Sequence, residues 1–387
     1  MMEYKRLGDY IRAVDIRNRE LKVTNLLGLS IEKKFIPSIA NTIGTDMSVY
    51  KIVSPTQFAY VPVTSRNGDK ITIALYKGTD NAIISQAYTV FEVKDHSVLL
   101  PEYLMMWFRR PEFDRYARFH SHGSAREVFD WSELCEVMLP VPDIEKQREI
   151  VAEYETLTNR IHLNEQIIQR LEATAQALYR KTFVENIDKE NLPEGWRIGT
   201  IGEISEINTD NISSGNKKTI RYLDSGSVTN NVFEGYQILD PIVDEIPSRA
   251  KRKVRYNDII YSTVRPNLLH YGIIRDKNVD DIVVSTGFAV IRSTDTRFSN
   301  ELLFLILTDA KNTETLQSIA EMSKATYPSI TPENIKEIKF AIPNEFNTIC
   351  KKTNEQLIAI NRYVYLRQQE KSKLTELQSL LLSKMGK

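Results

Sequence analysis

The chain has 387 residues, with 51 basic against 51 acidic, 42% apolar and 26% charged. That length calls for two or three domains with sizeable cores, and the composition is that of an ordinary folded protein, neither disordered nor embedded in a membrane. A formal charge of zero excludes a basic protein that coats nucleic acid indiscriminately but leaves room for local basic faces. No apolar run reaches the about 18 residues of a bilayer span, residues 1–6 have no apolar signal core, and Cys135 and Cys350 are too few for a disulfide framework or a cysteine zinc site.

Residues 1–142 mix short β-rich runs (71–76, 84–93) with a helix-like stretch (103–119), which predicts a small α/β domain. Its basic residues gather as Arg109, Arg110, Arg115, Arg118 and Arg126. The run 60–68 ends in Arg66-Asn67, and a small polar loop, 121–126, lies before the last strand. His120-Ser121-His122 has two imidazoles able to grip a metal, but with no third ligand nearby it reads as a solvated loop.

After Pro142 the character changes. Residues 143–187 predict one long helix: from 144 to 183 there is neither Gly nor Pro. Ile150, Tyr154, Leu157, Ile161, Asn164, Ile168, Leu171, Ala175 and Leu178 recur at alternating spacings of four and three, the seam of a coiled coil. Ordinary globular helices average about three turns, whereas one of this length rises roughly 60 Å.

Residues 188–343 repeat the first pattern after a leading linker, with β-rich runs at 258–263 and 282–292 and a helix-like stretch at 300–318. Here the basic cluster is Arg249, Lys251, Arg252, Lys253 and Arg255. The run 258–263 leads into Val264-Arg265-Pro266-Asn267, and a loop with Lys324 (323–327) lies where 121–126 does in the first domain. Residues 344–387 predict a second long helix, with Leu357, Ile360, Val364, Leu374 and Leu381 in register and Arg367 and Lys371 interrupting.

The chain is therefore written twice. Leu7-Gly8-Asp9 matches Ile201-Gly202-Glu203, Phe58-Ala59-Tyr60 matches Ile259-Ile260-Tyr261, Ser85 to Val90 matches Ser285 to Val290, and Leu134 to Pro142 matches Ile335 to Pro343, all in order and about two hundred residues apart. The expected fold class is α/β plus α: a tandem duplication of a small α/β domain and a long helix, the two helices forming an antiparallel coiled coil. Duplicated units tend to associate about a local two-fold axis, and polar seam positions such as Asn164 fix register.

No catalytic set appears. There is no phosphate-cradling Gly-rich loop, no dinucleotide fingerprint, no Pro-Pro-aromatic methyltransferase motif and no His-Glu-x-x-His. Glu92-Val93-Lys94 and Glu337-Ile338-Lys339 match the acidic-x-Lys fragment of metal-dependent nucleases, but simple strand alternation explains them. The basic clusters suit phosphate contacts, which position a protein without reading sequence, and equally suit a solvated face. Arg265 with Asn267, and Arg66 with Asn67, are more specific, because Arg grips guanine and Asn grips adenine bidentately.

The run 259–266, residues 283–290 and the head-to-helix junction Leu139-Pro140-Val141-Pro142-Asp143-Ile144-Glu145-Lys146-Gln147-Arg148-Glu149-Ile150 carry a resemblance. The whole chain resembles the specificity subunit of type I restriction–modification systems, in the order head, helix, head, helix. The second junction departs, since residues 343–349 lack the Gln.

The resemblance implies target recognition domains at 1–142 and 188–343, each reading one half of a bipartite site on double-stranded DNA. It implies helices at 143–187 and 344–387 that act as a ruler between half-sites. It further implies two modification subunits docked on the helical region, restriction subunits that translocate and cleave, and a cytoplasmic complex without a membrane. On this view the chain is not an enzyme and binds no cofactor or metal; S-adenosylmethionine, ATP and Mg belong to partner subunits. DNA-binding candidates are Arg66, Asn67, Arg126, Lys251, Arg252, Lys253, Arg265, Asn267 and Lys324, and partner-binding candidates are Gln147, Ile150, Tyr154, Leu157, Ile161, Leu357, Ile360 and Val364. The alternatives are a self-contained methyltransferase or nuclease with a divergent site, and a coiled-coil scaffold that binds only protein.

Overall fold

The computed structural model describes residues 3–38, 44–65, 68–123, 126–185, 187–188, 190–212, 218–323 and 327–386. Packing divides the chain into two compact units that do not follow chain order. One is Met1–Leu163 with Glu370–Lys387, and the other is Asn164–Gln369. Each therefore holds one head, one half of the long helix Ile144–Phe183 and one half of the long helix Thr348–Lys384.

The heads share a plan, as the repeat predicts. The first has a four-stranded antiparallel sheet in the order Ile11–Val14, Thr89–Val93, Phe58–Tyr60, Ile73–Leu75; the second repeats it with Ser205–Ile207, Phe288–Ser293, Ile259–Ser262, Tyr271–Ile273. Each head is closed by its own first and last strands, Tyr4–Arg6 against Met138–Pro140 and Trp196–Thr200 against Lys339–Pro343. Alternate residues of these short strands bury aromatic and branched side chains: Phe58, Tyr60 and Phe91 in one head, Ile259, Tyr261 and Ile291 in the other.

The sequence runs read as single elements are divided. The run 84–93 belongs to two strands, Ala82–Ile84 and Thr89–Val93, and 282–292 becomes Ile282–Ser285 and Phe288–Ser293. A serine hydroxyl makes both turns by accepting a backbone N–H two residues on: Ser85 Oγ from Ala87 at 3.3 Å, and Ser285 Oγ from Gly287 at 3.1 Å. The helical stretch 103–119 is Pro101–Phe108 and Pro111–Phe119, because Pro111 forces Arg110 out of the helical region (ψ 137). In the second head Asp309 caps a new helix at the same place, Ala310–Glu321, after Asn300–Leu307.

Within each unit the helix halves run antiparallel, as expected. In the first, Arg160 Nη2 lies 2.5 Å from Glu370 Oε1 while Gln378 donates to the Thr158 hydroxyl at 2.7 Å, so rising numbers on one helix meet falling numbers on the other. In the second, Phe183 meets Phe346 and the Thr182 and Thr353 hydroxyls bond at 3.1 Å. The helix ends are welded to the heads. Val151, Leu382 and Met385 join the first head's core, and Ala175, Tyr179, Phe183 and Leu357 join the second's.

Asn164 is a buried seam residue whose Nδ2 has no hydrogen-bond partner among the described residues. Replacing it by Leu is expected to raise stability by about 1–2 kcal/mol in denaturant unfolding, because an unsatisfied amide is exchanged for apolar packing. A loss of stability would show that the amide does have a partner, such as an ordered water.

Candidate nucleic-acid interface

The two loops singled out in each head come together. In the second head the backbone N–H of Arg265 donates to Pro328 O at 2.9 Å, that of Ile330 donates to Thr263 O at 2.8 Å, and Val264 forms a bridge with Ser329. In the first, the N–H of Thr64 donates to Glu127 O at 3.0 Å, Val63 bridges Val128, and the hydroxyls of Thr64 and Ser121 bond at 3.0 Å. The same strand-end loop thus meets the same late loop twice.

This register refines one match. Thr64, not Arg66, occupies the place of Arg265, because each donates its N–H to the equivalent carbonyl of the late loop. Arg66, Asn67 and Lys324 themselves lie outside the described residues. Arg126 is described and exposed beside Gly123, whose φ of 140 is a conformation that side chains with a Cβ rarely adopt.

Arg265 is the best-defined reader. It is exposed at the end of the strand Ile259–Ser262, with left-handed φ 49 and ψ 70, unusual for a residue with a Cβ and more so before proline. Such a backbone persists only where its surroundings impose it, here through the bonds to Pro328, Ser329 and Ile330. Its guanidinium lies 5.3 Å from the ring centre of the exposed Tyr327. Stacking uses the face of the guanidinium and leaves its in-plane N–H fork free for a bidentate acceptor, the geometry that guanine O6 and N7 present. Asn267 is exposed too; its backbone N–H donates to Gln317 Oε1 at 3.2 Å, which ties the loop to the helix Ala310–Glu321. Tyr327 went unrecognised as a site residue because its partner is far away in sequence.

The basic clusters do not survive as continuous patches. Lys251, Arg252 and Lys253 sit on the edge strand Ala250–Lys253, where alternation exposes both lysines and turns Arg252 inward. Arg252 Nε is buried without a partner, and burial pushes the guanidinium below its ordinary value, so Arg252 does not belong with the solvent-facing readers. In the first head Arg110 is buried with its guanidinium 4.1 Å from the Trp107 ring centre, and Arg118 is drawn to Gly68 O and Asp69. His120 Nδ1 lies 2.9 Å from Glu133 Oε2 and stacks on Tyr116, and Glu92 and Lys94 are engaged by Arg12 and Gln57 and by Gly8 and Asp9.

The residues named for a partner are turned inward. Gln147 has 0% exposure: its Oε1 accepts from Leu100 N–H at 2.9 Å, and its Nε2 donates to Val98 O and Pro142 O, each at 2.8 Å. It fastens the first helix to its own head and has no group left for a partner. The second junction does the same with other residues. Asn354 Oδ1 accepts from the Ser299 hydroxyl at 2.8 Å, its Nδ2 donates to Arg297 O at 3.3 Å, and Arg297 donates to Pro343 O at 3.1 Å. The missing Gln is replaced from one and a half turns further along the helix and from the head.

Of the seam residues, Leu357 and Val364 are buried, Ile360 packs against the second head's core, and Ile150 and Tyr154 pack against the first's; Leu157 and Ile161 are half-buried. Exposed apolar side chains of the helices lie off the seam: Leu163, Leu377 and Leu380 in the first unit, and Ile167, Ile349, Ile358, Tyr363 and Leu366 in the second.

Known proteins are similar to this chain in sequence and in fold. A family model for the type I restriction modification DNA specificity domain matches residues 3–173 and 193–379. The type I restriction enzyme HindI specificity subunit of Haemophilus influenzae is 31% identical over 150 residues, 39% of this chain and 32% of that relative, so the match spans about a third of the curated relative's length. The crystal structure of the type I restriction–modification S subunit from M. genitalium matches in fold, with TM-score 0.62 and 13% identity, covering 100% of this chain and 96% of that one.

Proposed function

This chain belongs to the type I restriction–modification DNA specificity family, and on that premise we propose that it reads a bipartite sequence on double-stranded DNA, one head to each half-site, as the non-catalytic specificity subunit of a restriction–modification complex. The observation that carries the reading is the repeated loop pair: both heads hold a strand-end loop against the same late loop, and in the second head that loop carries the exposed Arg265, its guanidinium 5.3 Å from the Tyr327 ring centre. Arg126, Asn267, Lys251 and Lys253 add exposed donors to the two heads, and the long helices set the distance between half-sites.

Two modification subunits would dock on the helices, and restriction subunits would join them. The exposed apolar rows support such docking. With Leu357 and Val364 at heptad position a, Tyr363 falls at g and Leu366 at c, while on the first helix Leu163 falls at c and Ile167 at g. Reversing one helix puts the two g flanks on the same side of the seam, so Leu163, Leu377 and Leu380 share a side in the first unit and Ile167, Tyr363 and Leu366 share one in the second, with the exposed Ile358 at b on the other flank. In this scheme S-adenosylmethionine, ATP and Mg are held by the partner subunits, where base flipping and methyl transfer occur. No helix of the described residues is long and apolar enough to cross a membrane. In this reading the complex acts on DNA in the cytoplasm.

The test is methylome sequencing of DNA modified by the chain reconstituted with its modification subunit. One split sequence is expected. Arg265→Ala should relax a single base position in one half-site, by about 1–3 kcal/mol of discrimination. Equal weakening at both half-sites would make Arg265 a phosphate or structural contact, and methylation by the chain alone would favour the self-contained enzyme.

A further inference from the structure

Within the second unit the head and the helix Thr348–Lys384 enclose a cleft of about 610 Å³. At its base Arg275 pairs with the buried carboxylate of Glu301 at 2.9 Å and bonds Asn257, yet its Nη2 is buried without a partner. Tyr256, Tyr365, Ile358 and Leu366 give the cleft apolar and aromatic walls. Lys277 and Arg362, both exposed, also line it, and neither has a hydrogen-bond or ion-pair partner among the described residues, whereas the lining carboxylates Glu301 and Asp295 are already paired, with Arg275 and Arg297. Two unpaired cations beside an orphaned guanidinium N–H ask for anionic groups, and the apolar walls ask for a side chain to cover them.

Position separates this cleft from the reading loops. The strand Ile259–Ser262 starts next to Asn257 at the cleft and ends at the loop bearing Arg265, and Tyr271–Ile273 returns to Arg275. The cleft is thus at the opposite end of the strand pair from the candidate base-reading loop, against the helix. Phosphates beside bases held at Arg265 are not directed there. The wall residue Leu366 also belongs to the exposed apolar row of the helix. Both facts favour a protein segment over DNA.

The first head uses the corresponding cation differently. By strand register the counterpart of Arg275 is Lys77, since Phe58 pairs with Leu75 as Ile259 pairs with Ile273. Lys77 Nζ lies 2.9 Å from Glu155 Oε1 on the first long helix and bridges head to helix. In the second unit the helix presents Arg362 to this end of the sheet, of the same sign as Arg275 and Lys277, so no such bond can form.

We propose that this cleft receives an acidic peptide segment of the modification subunit, with an aliphatic or aromatic residue among its carboxylates. The proposal rests on the reading given under Proposed function and sharpens it: the two modification subunits dock unequally, because the second unit leaves Lys277 and Arg362 unpaired in its cleft where the first unit pairs Lys77 with Glu155.

The experiment titrates the full chain with its modification subunit by calorimetry at low and high salt. Wild type is expected to show two steps, one of them salt-sensitive. Lys277→Glu with Arg362→Glu should weaken that step about tenfold and flatten its salt dependence, leaving the other step unchanged. Both side chains are exposed and unpaired, so the melting curve should not move, and a charge-keeping Lys277→Arg, Arg362→Lys variant should restore wild-type association. Unchanged association, or intact association with weakened DNA binding, overturns the proposal. If wild type does not associate with the modification subunit at all, the wider reading falls and the cleft assignment with it.

Discussion

Asp258→Ala should lower the stability of the second head by about 3–5 kcal/mol, the largest single-residue effect expected in this chain. Asp258 is fully buried at 0% exposure. Its carboxylate accepts from Arg292 Nε at 2.7 Å and Nη2 at 2.6 Å, and from the backbone N–H of Arg255 at 2.7 Å. Burial alone would weaken Arg292's hold on its proton, but the bonds and charges of Asp258 and Glu206 outweigh it and keep the guanidinium above its ordinary value.

Removing the carboxylate leaves a mostly buried cation with Glu206 at 2.7 Å and the more distant Asp210 at 4.0 Å. Hydrogen exchange along Ile259–Ser262 and urea unfolding would register the loss, and a change under about 1 kcal/mol would mean that water or Glu206 replaces the pair. The strand that begins at this ion pair ends at Arg265, so recognition by the second head should fail on warming and recover on cooling. Arg265→Ala should not recover, because it removes a contact and not the scaffold.

Gln147→Leu carries the second-largest effect, a loss of about 2–4 kcal/mol in the first unit. Leu replaces the side chain's bulk but leaves the Leu100 N–H and the carbonyls of Val98 and Pro142 without their partner. The helix and head would stay folded locally while the weld between them loosens, which exchange at the Leu100 amide would detect. Asn354→Leu in the second unit should cost less. There two of the three bonds are longer, at 3.3 Å to the Ser299 N–H and to Arg297 O, the 2.8 Å bond comes from a Ser299 hydroxyl that can turn to another acceptor, and Arg297 separately ties the junction to Pro343. Equal losses at the two sites would contradict this division of labour.

Much of the architecture was legible because it repeats locally. The heptad spacing from Ile150 to Leu178 and the matches between Phe58-Ala59-Tyr60 and Ile259-Ile260-Tyr261 need only near neighbours to be read. Division of the long runs was less legible: Pro111 marks one break plainly, but the turns after Ser85 and Ser285 depend on a hydroxyl that any serine has. The basic triplet at Lys251–Lys253 misled because composition ignores alternation, which turns Arg252 away from its neighbours. Gln147 misled for another reason: a polar residue in a helical junction resembles a surface contact until its three partners are known.

By itself, then, the sequence determined the duplication, the head-and-helix order and the antiparallel seam, since burial stripes and repeats are periodic and every turn of the chain restates them. Only the tertiary structure decided that Arg265 stacks on Tyr327 and that Asn354 and Arg297 take over the role of Gln147. It alone decided that Lys77 bridges to its helix while Arg275 turns inward to Glu301. Each of these rests on one pair of side chains brought together across tens of residues, and no local period records such a pairing.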